Sequence, residues 1–83
     1  MAKRKKIKVQ ERKLGRELAY GLAWKDKKLI EIDSRLKGRQ KFSVTLHESL
    51  HVAFPEKSER QVLKATKLIM DVLWGQNYRK VDN

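Results

Sequence analysis

The sequence predicts an α+β fold, because strand-like runs come first and helical periods follow them. Three observations carry that order. Residues 20–24 and 29–33 are short runs of aromatic, aliphatic and β-branched residues. From about Arg39 the apolar residues recur at helical spacing. Ser58 then opens a second apolar period that runs to Trp74. The chain shows no internal repeat and no second domain.

The elements can be justified in order. Residues 1–6 are polar and basic and are expected to be disordered. Ile7 and Val9 alternate with Lys8 and Gln10, which fits either a first strand or the start of a helix reaching about Leu18. Lys25, Asp26, Lys27 and Lys28 form a turn between the two better strands. In the second of these, Ile30 and Ile32 face one side while Glu31 and Asp33 face the other. Residues 34–38 read as a loop. The first helix then carries Phe42, Leu46, Ser49, Leu50 and Ala53 as its core stripe, and Pro55 marks its end. Ser58 and Gln61 are spaced as a capping box. Val62, Leu63, Thr66, Ile69, Met70 and Leu73 share the apolar face of the second helix. Gly75 is placed to end it as the residue after the cap, with Trp74 and Tyr78 packing nearby.

Composition narrows the function classes. The chain has 83 residues, 21 Lys and Arg against 10 Asp and Glu, and a net charge of +11. One domain with a modest core is all that this length allows, and at this size metals or oligomers often assist stability. The absence of cysteine excludes a disulfide framework, a thiolate zinc site and a cysteine nucleophile. No apolar run approaches the roughly 20 residues that span a bilayer. The basic N-terminus is not followed by an apolar segment, so no secretory signal is expected and the cytoplasm is the expected compartment.

The charge is uneven. Residues 1–16 carry eight basic side chains, from Lys3 to Arg16, against Glu11 alone. That basic arm is net +7, and the domain of residues 17–83 holds the remaining +4. Such an arm suits nucleic acid or an acidic protein through charge alone. It also suits a solubilising tail, and it has no aromatic residue to stack on bases.

The chemistry is concentrated in one motif. The only two histidines are His47 and His51, in the run His47-Glu48-Ser49-Leu50-His51. This is H-E-x-x-H on a predicted helix. A spacing of four puts both imidazoles on one face, one turn apart, so both can reach one ion. Glu48 is placed to take a proton from water activated by that ion. The alternative is an exposed helical face with a fortuitous histidine pair. At 100° per residue, the two histidines lie roughly 100–140° from the centre of the core stripe. That is beside the core but not inside it.

A catalytic zinc usually takes three protein ligands. Without a third histidine or a cysteine, the third must be a carboxylate. Glu59 is the best candidate, being three and four residues before Val62 and Leu63 and so on the apolar face of the second helix. A short antiparallel connection would bring it close to His51. A plain alternative is an acid favoured by the positive end of the helix dipole. Glu56 is the reserve, and Asp33 and Asp71 are weaker because a helical hairpin does not bring them in.

The run from Leu46 to Pro55, then Ser58-Glu59, then a helix ending at Leu73-Trp74, resembles small zincin-like metallopeptidases of phage and bacterial origin. These are the minimal gluzincins and the domain of the ImmA/IrrE type. The resemblance covers roughly residues 20–78 and is most specific in its second half. It implies a minimal zincin-like fold: a short antiparallel sheet, an active-site helix and an antiparallel C-terminal helix. It implies His47, His51 and Glu59 as ligands of one zinc ion and Glu48 as general base. It further implies an edge strand before the active-site helix that pairs with an extended substrate, and residues 29–33 match that position. Larger gluzincins have an aspartate four residues after the glutamate ligand, where this chain has Leu63. A hydrogen-bond partner for the outer ring nitrogen of a histidine must then come from elsewhere, such as a backbone carbonyl. Tyr20, Tyr78 and Arg79 are the candidates for stabilising an oxyanion.

Two function classes follow. One is a zinc-dependent metallopeptidase acting on a protein or peptide. The other is a catalytically inactive zincin-like binding protein whose basic arm holds nucleic acid or an acidic partner.

Overall fold

A computed structural model describes residues 6–15 and 19–81 of the chain. The disorder expected of residues 1–6 falls outside these residues except at Lys6, and so does Leu18, where the alternative first helix would have ended. The protein is α+β, with three strands followed by two helices.

Strand β1 is Lys8–Arg12, β2 is Gly21–Trp24 and β3 is Leu29–Asp33. The first of the two readings for residues 7–10 is therefore the one the fold adopts. β2 and β3 form the expected antiparallel hairpin, joined by a single 3-10 turn at Lys25–Lys27 with Lys28 in the left-handed region at φ 49°. The sheet is larger than a hairpin, because β1 pairs in parallel with β3. The strand order is β1-β3-β2. This corrects the reading of residues 29–33 as a substrate-pairing edge. β3 has both its hydrogen-bonding edges filled, and the free edges belong to β1 and β2.

Alternation sorts β3 as its sequence requires. Ile30 and Ile32 are fully buried against the helical side, in a core with Leu36 and Val52. Glu31 and Asp33, on the other face, are buried too. Each has partners that offset the cost of desolvation. Glu31 accepts from Arg12 and, at 2.7 Å, from the indole N–H of Trp24. Asp33 accepts from the Arg35 side chain at 2.7 and 2.9 Å, from the Arg35 backbone N–H at 2.9 Å and from that of Leu14 at 3.3 Å. These bonds, with Arg35 first, hold the Asp33 carboxyl well below the ordinary carboxylate range.

Helix α1 is Gly38–Ala53 and α2 is Glu59–Gly75. α1 packs against β2 and β3 on one side and against α2 on another. It is the middle layer, so every residue from 41 to 51 is half-buried. That explains where the expected stripe fails. Its last member, Ala53, is exposed, and the residue of α1 that enters the core is Val52. A helix covered on two sides has no single apolar stripe to read.

The start of α2 is as expected. Ser58 Oγ accepts from the Gln61 backbone N–H at 3.2 Å, and the Gln61 side chain accepts from the Ser58 N–H at 2.9 Å. Val62, Thr66 and Met70 are buried. Leu63 is not: it is 52% exposed. The helix end also differs from expectation. Gly75 remains inside α2, and the left-handed residue is Asn77 at φ 65°. Trp74 packs edge-on against Phe42, with ring centroids 6.0 Å apart, and the Arg79 guanidinium covers its face at 3.3 Å. Tyr78 stays exposed.

Candidate metal centre

Two helices and the start of one strand build the site. His47, Glu48 and His51 lie within one five-residue stretch of α1, so the two histidines are about one turn apart. The histidines are 14% exposed as side chains, with ring centroids 4.8 Å apart and planes at 78°. The link of residues 54–58 reverses the chain, and the Ser58 cap starts α2 at Glu59. Glu59 thus faces the last two turns of α1. Its Oε1 lies 2.6 Å from His51 Nε2 and 2.9 Å from His47 Nε2. The hydrogen bond to His51, ahead of the histidine charges, holds the Glu59 carboxyl below its ordinary value.

His47, His51 and Glu59 can hold a metal ion. One ligand atom from each lies within 4.8 Å of the others. Two imidazoles and a carboxylate are also the donor set that a divalent transition ion takes. Tetrahedral zinc with bonds of about 2.0–2.2 Å separates its ligand atoms by roughly 3.3 Å. The N···O distances of 2.6 and 2.9 Å must therefore widen by about 0.7 and 0.4 Å. Glu59 has room to do so, since its side chain is 64% exposed. Among the described residues, Glu56, Asp33 and Asp71 do not join this group. Asp33 is committed to Arg35, and Asp71 pairs with Arg39 at 3.7 Å. His51 Nδ1 is buried without a hydrogen-bond partner among the described residues. Neither a backbone carbonyl nor any other described group serves as its partner.

Glu48 occupies the wall between α1 and β2. Burial raises its pKa, opposed by the neighbouring charges of His47 and His51 and reinforced by that of Glu59. A raised pKa suits a group that must both take and return a proton near neutrality. The residue that makes room for Glu48 is Gly21. A Cβ on Gly21 would stand 2.7 Å from Val44 Cγ1, 2.8 Å from Glu48 Cγ and 3.1 Å from Glu48 Oε2. In the sequence Gly21 is only one residue of a strand pattern. The available signal was a glycine inside a strand pattern, which often marks a close backbone approach.

A cavity of about 380 Å³ opens beside these groups, lined by Tyr20, Gly21, His47, Glu48, Glu59 and Leu63 among others. Of the three aromatic or basic candidates for an oxyanion partner, Tyr20 lines this cavity. Tyr78 and Arg79 lie instead beside a separate groove at the far end of α2. Among the described residues, no helix is long and apolar enough to cross a membrane. In comparisons with protein-family models, curated proteins and solved structures, none matches this chain.

Proposed function

We propose that this protein is a zinc-dependent metallopeptidase, with zinc held by His47, His51 and Glu59 and with Glu48 as general base. One observation carries the reading. The two Nε2 atoms of the H-E-x-x-H helix converge on one oxygen of Glu59, at 2.9 and 2.6 Å, beside the cavity that Glu48 lines. Zinc bound by such a set would supply a Lewis acid for a carbonyl and lower the pKa of water to about 7.

The chain's own groups have definite tasks. His47 and His51 present imidazole nitrogens from one face of a helix, and Glu59 adds the charge that favours a divalent ion. Glu48 takes a proton at its carboxylate from water in the cavity and returns it to the departing amine. Glycine at position 21 leaves the space that the Glu48 side chain occupies. Of the three candidates only Tyr20 lines the cavity, which supports it as the hydrogen-bond donor to a developing oxyanion.

The test is cleavage of an unstructured protein by zinc-loaded wild type and by Glu48→Gln. Cleavage is expected from the wild type and should fall by at least about a hundredfold in the variant, with zinc still bound. Stoichiometric zinc with no cleavage dependent on Glu48 would leave a metal-binding protein without peptidase activity, the second class named above.

A further inference from the structure

The opposite flank of α1 carries a larger groove, of about 950 Å³, which shares no lining residue with the metal-site cavity. Its origin lies in the topology. Val9 and Ile30 are direct partners across the sheet, as are Glu11 and Ile32, so all four share one face. α1 lies over β2 and β3, and Ile30 and Ile32 are fully buried beneath it. One strand over, none of the described residues covers the same face, and Val9 is 58% exposed. The groove is therefore an unfilled place in the helical layer. Val9 lies at its floor, and Phe42 and Leu46 of α1 and Leu73 and Trp74 of α2 line it.

The rim has a sign. Among the described residues, Lys37, Lys41, Arg79 and Lys80 border the groove against a single acid, Glu11. Glu11 is already shared between Lys41 at 2.9 Å and Lys80 at 3.9 Å. An apolar floor with a cationic rim excludes two occupants on charge. A second copy would bring another +11. The chain's own first residues are basic, with Lys3, Arg4 and Lys5. The shape selects a helix, because the gap lies beside α1 in the same layer and on the bare face of a strand.

We propose that this groove seats an acidic amphipathic helix of a partner protein, apolar face down on Val9, Phe42 and Trp74, with its acids toward Lys37 and Lys80. This is recognition of a helix in a groove, with the charged rim setting sign and orientation.

The test uses two synthetic helical peptides with the same leucines at i, i+3, i+4 and i+7, one carrying glutamates on its polar face and one lysines. Binding is followed by fluorescence anisotropy of the labelled peptides. The acidic peptide is expected to bind at least about tenfold tighter than the basic one, with the gap narrowing as salt rises. Val9→Glu should weaken it by about tenfold or more, and the Lys37→Glu/Lys80→Glu pair should abolish the preference for acid. Zinc affinity and the circular dichroism spectrum should not change in these variants. Val9→Ala, which adds no charge to the strand, should still weaken binding about threefold. Equal affinity for the two peptides, no binding of the acidic one, or indifference to Val9 would overturn the proposal. Binding of laurate without either peptide, or sedimentation as a dimer, would also overturn it by assigning the groove a different occupant.

Discussion

His51 and Glu59 come from different helices, yet His51 Nε2 stands 2.6 Å from Glu59 Oε1. The Ser58–Gln61 capping box sets that distance, because it fixes the residue at which α2 begins. Ser58→Ala removes one half of the box. It is expected to lower stability by about 1 kcal/mol and to weaken zinc binding, through Glu59, by more than an equal destabilisation placed elsewhere. Chemical denaturation and zinc titration on the same variant separate the two effects.

Gly21 gives the second prediction. Alanine there would press on Val44 and Glu48 at distances below normal contact. Gly21→Ala should cost about 1–3 kcal/mol by overpacking. It should reduce Glu48-dependent cleavage by more than it reduces zinc affinity, since the pressure falls on the base and not on the ligands. Cleavage rates compared at saturating zinc would show this.

Asp33 gives the third. Its folded-state pKa lies below its unfolded value, so the unfolded chain takes up the proton first as pH falls. The stability it contributes is complete above the ordinary carboxylate value near 3.8 and is lost as pH drops below it. Glu31, held down chiefly by its hydrogen bond from Arg12, acts in the same direction. Asp33→Asn should therefore lower stability at neutral pH and flatten the acid limb of a plot of unfolding free energy against pH.

The core supplies the fourth. Ile32 is fully buried between α1 and the sheet. Ile32→Ala is expected to cost about 2–5 kcal/mol, a large share of what a chain of this size can hold. Thermal unfolding followed by circular dichroism would measure it.

The signals that were legible in the sequence are local. Ser58 and Gln61 need only three residues' separation to declare a helix start, and His47 and His51 need only one turn. Ile30 and Ile32 declare a buried face by alternation within five residues. The signals that were not legible depend on what packs across. Nothing in residues 29–33 shows that β1 will pair with their outer edge, so the edge strand implied by the resemblance becomes the centre of the sheet. Val52 outranks Ala53 only because α1 is covered on two sides. Leu63 follows the helical period of its neighbours but sits where no layer covers it. Gly21 is silent until Glu48 is brought against it.

The most direct measurement is a calorimetric titration of zinc into untagged, metal-free protein. One ion per chain is expected, with affinity reduced by about a hundredfold or more in His47→Ala, His51→Ala and Glu59→Ala, and kept in Glu48→Gln. No binding by the wild type, or binding unchanged when His51 or Glu59 is removed, would contradict the assignment of the metal centre.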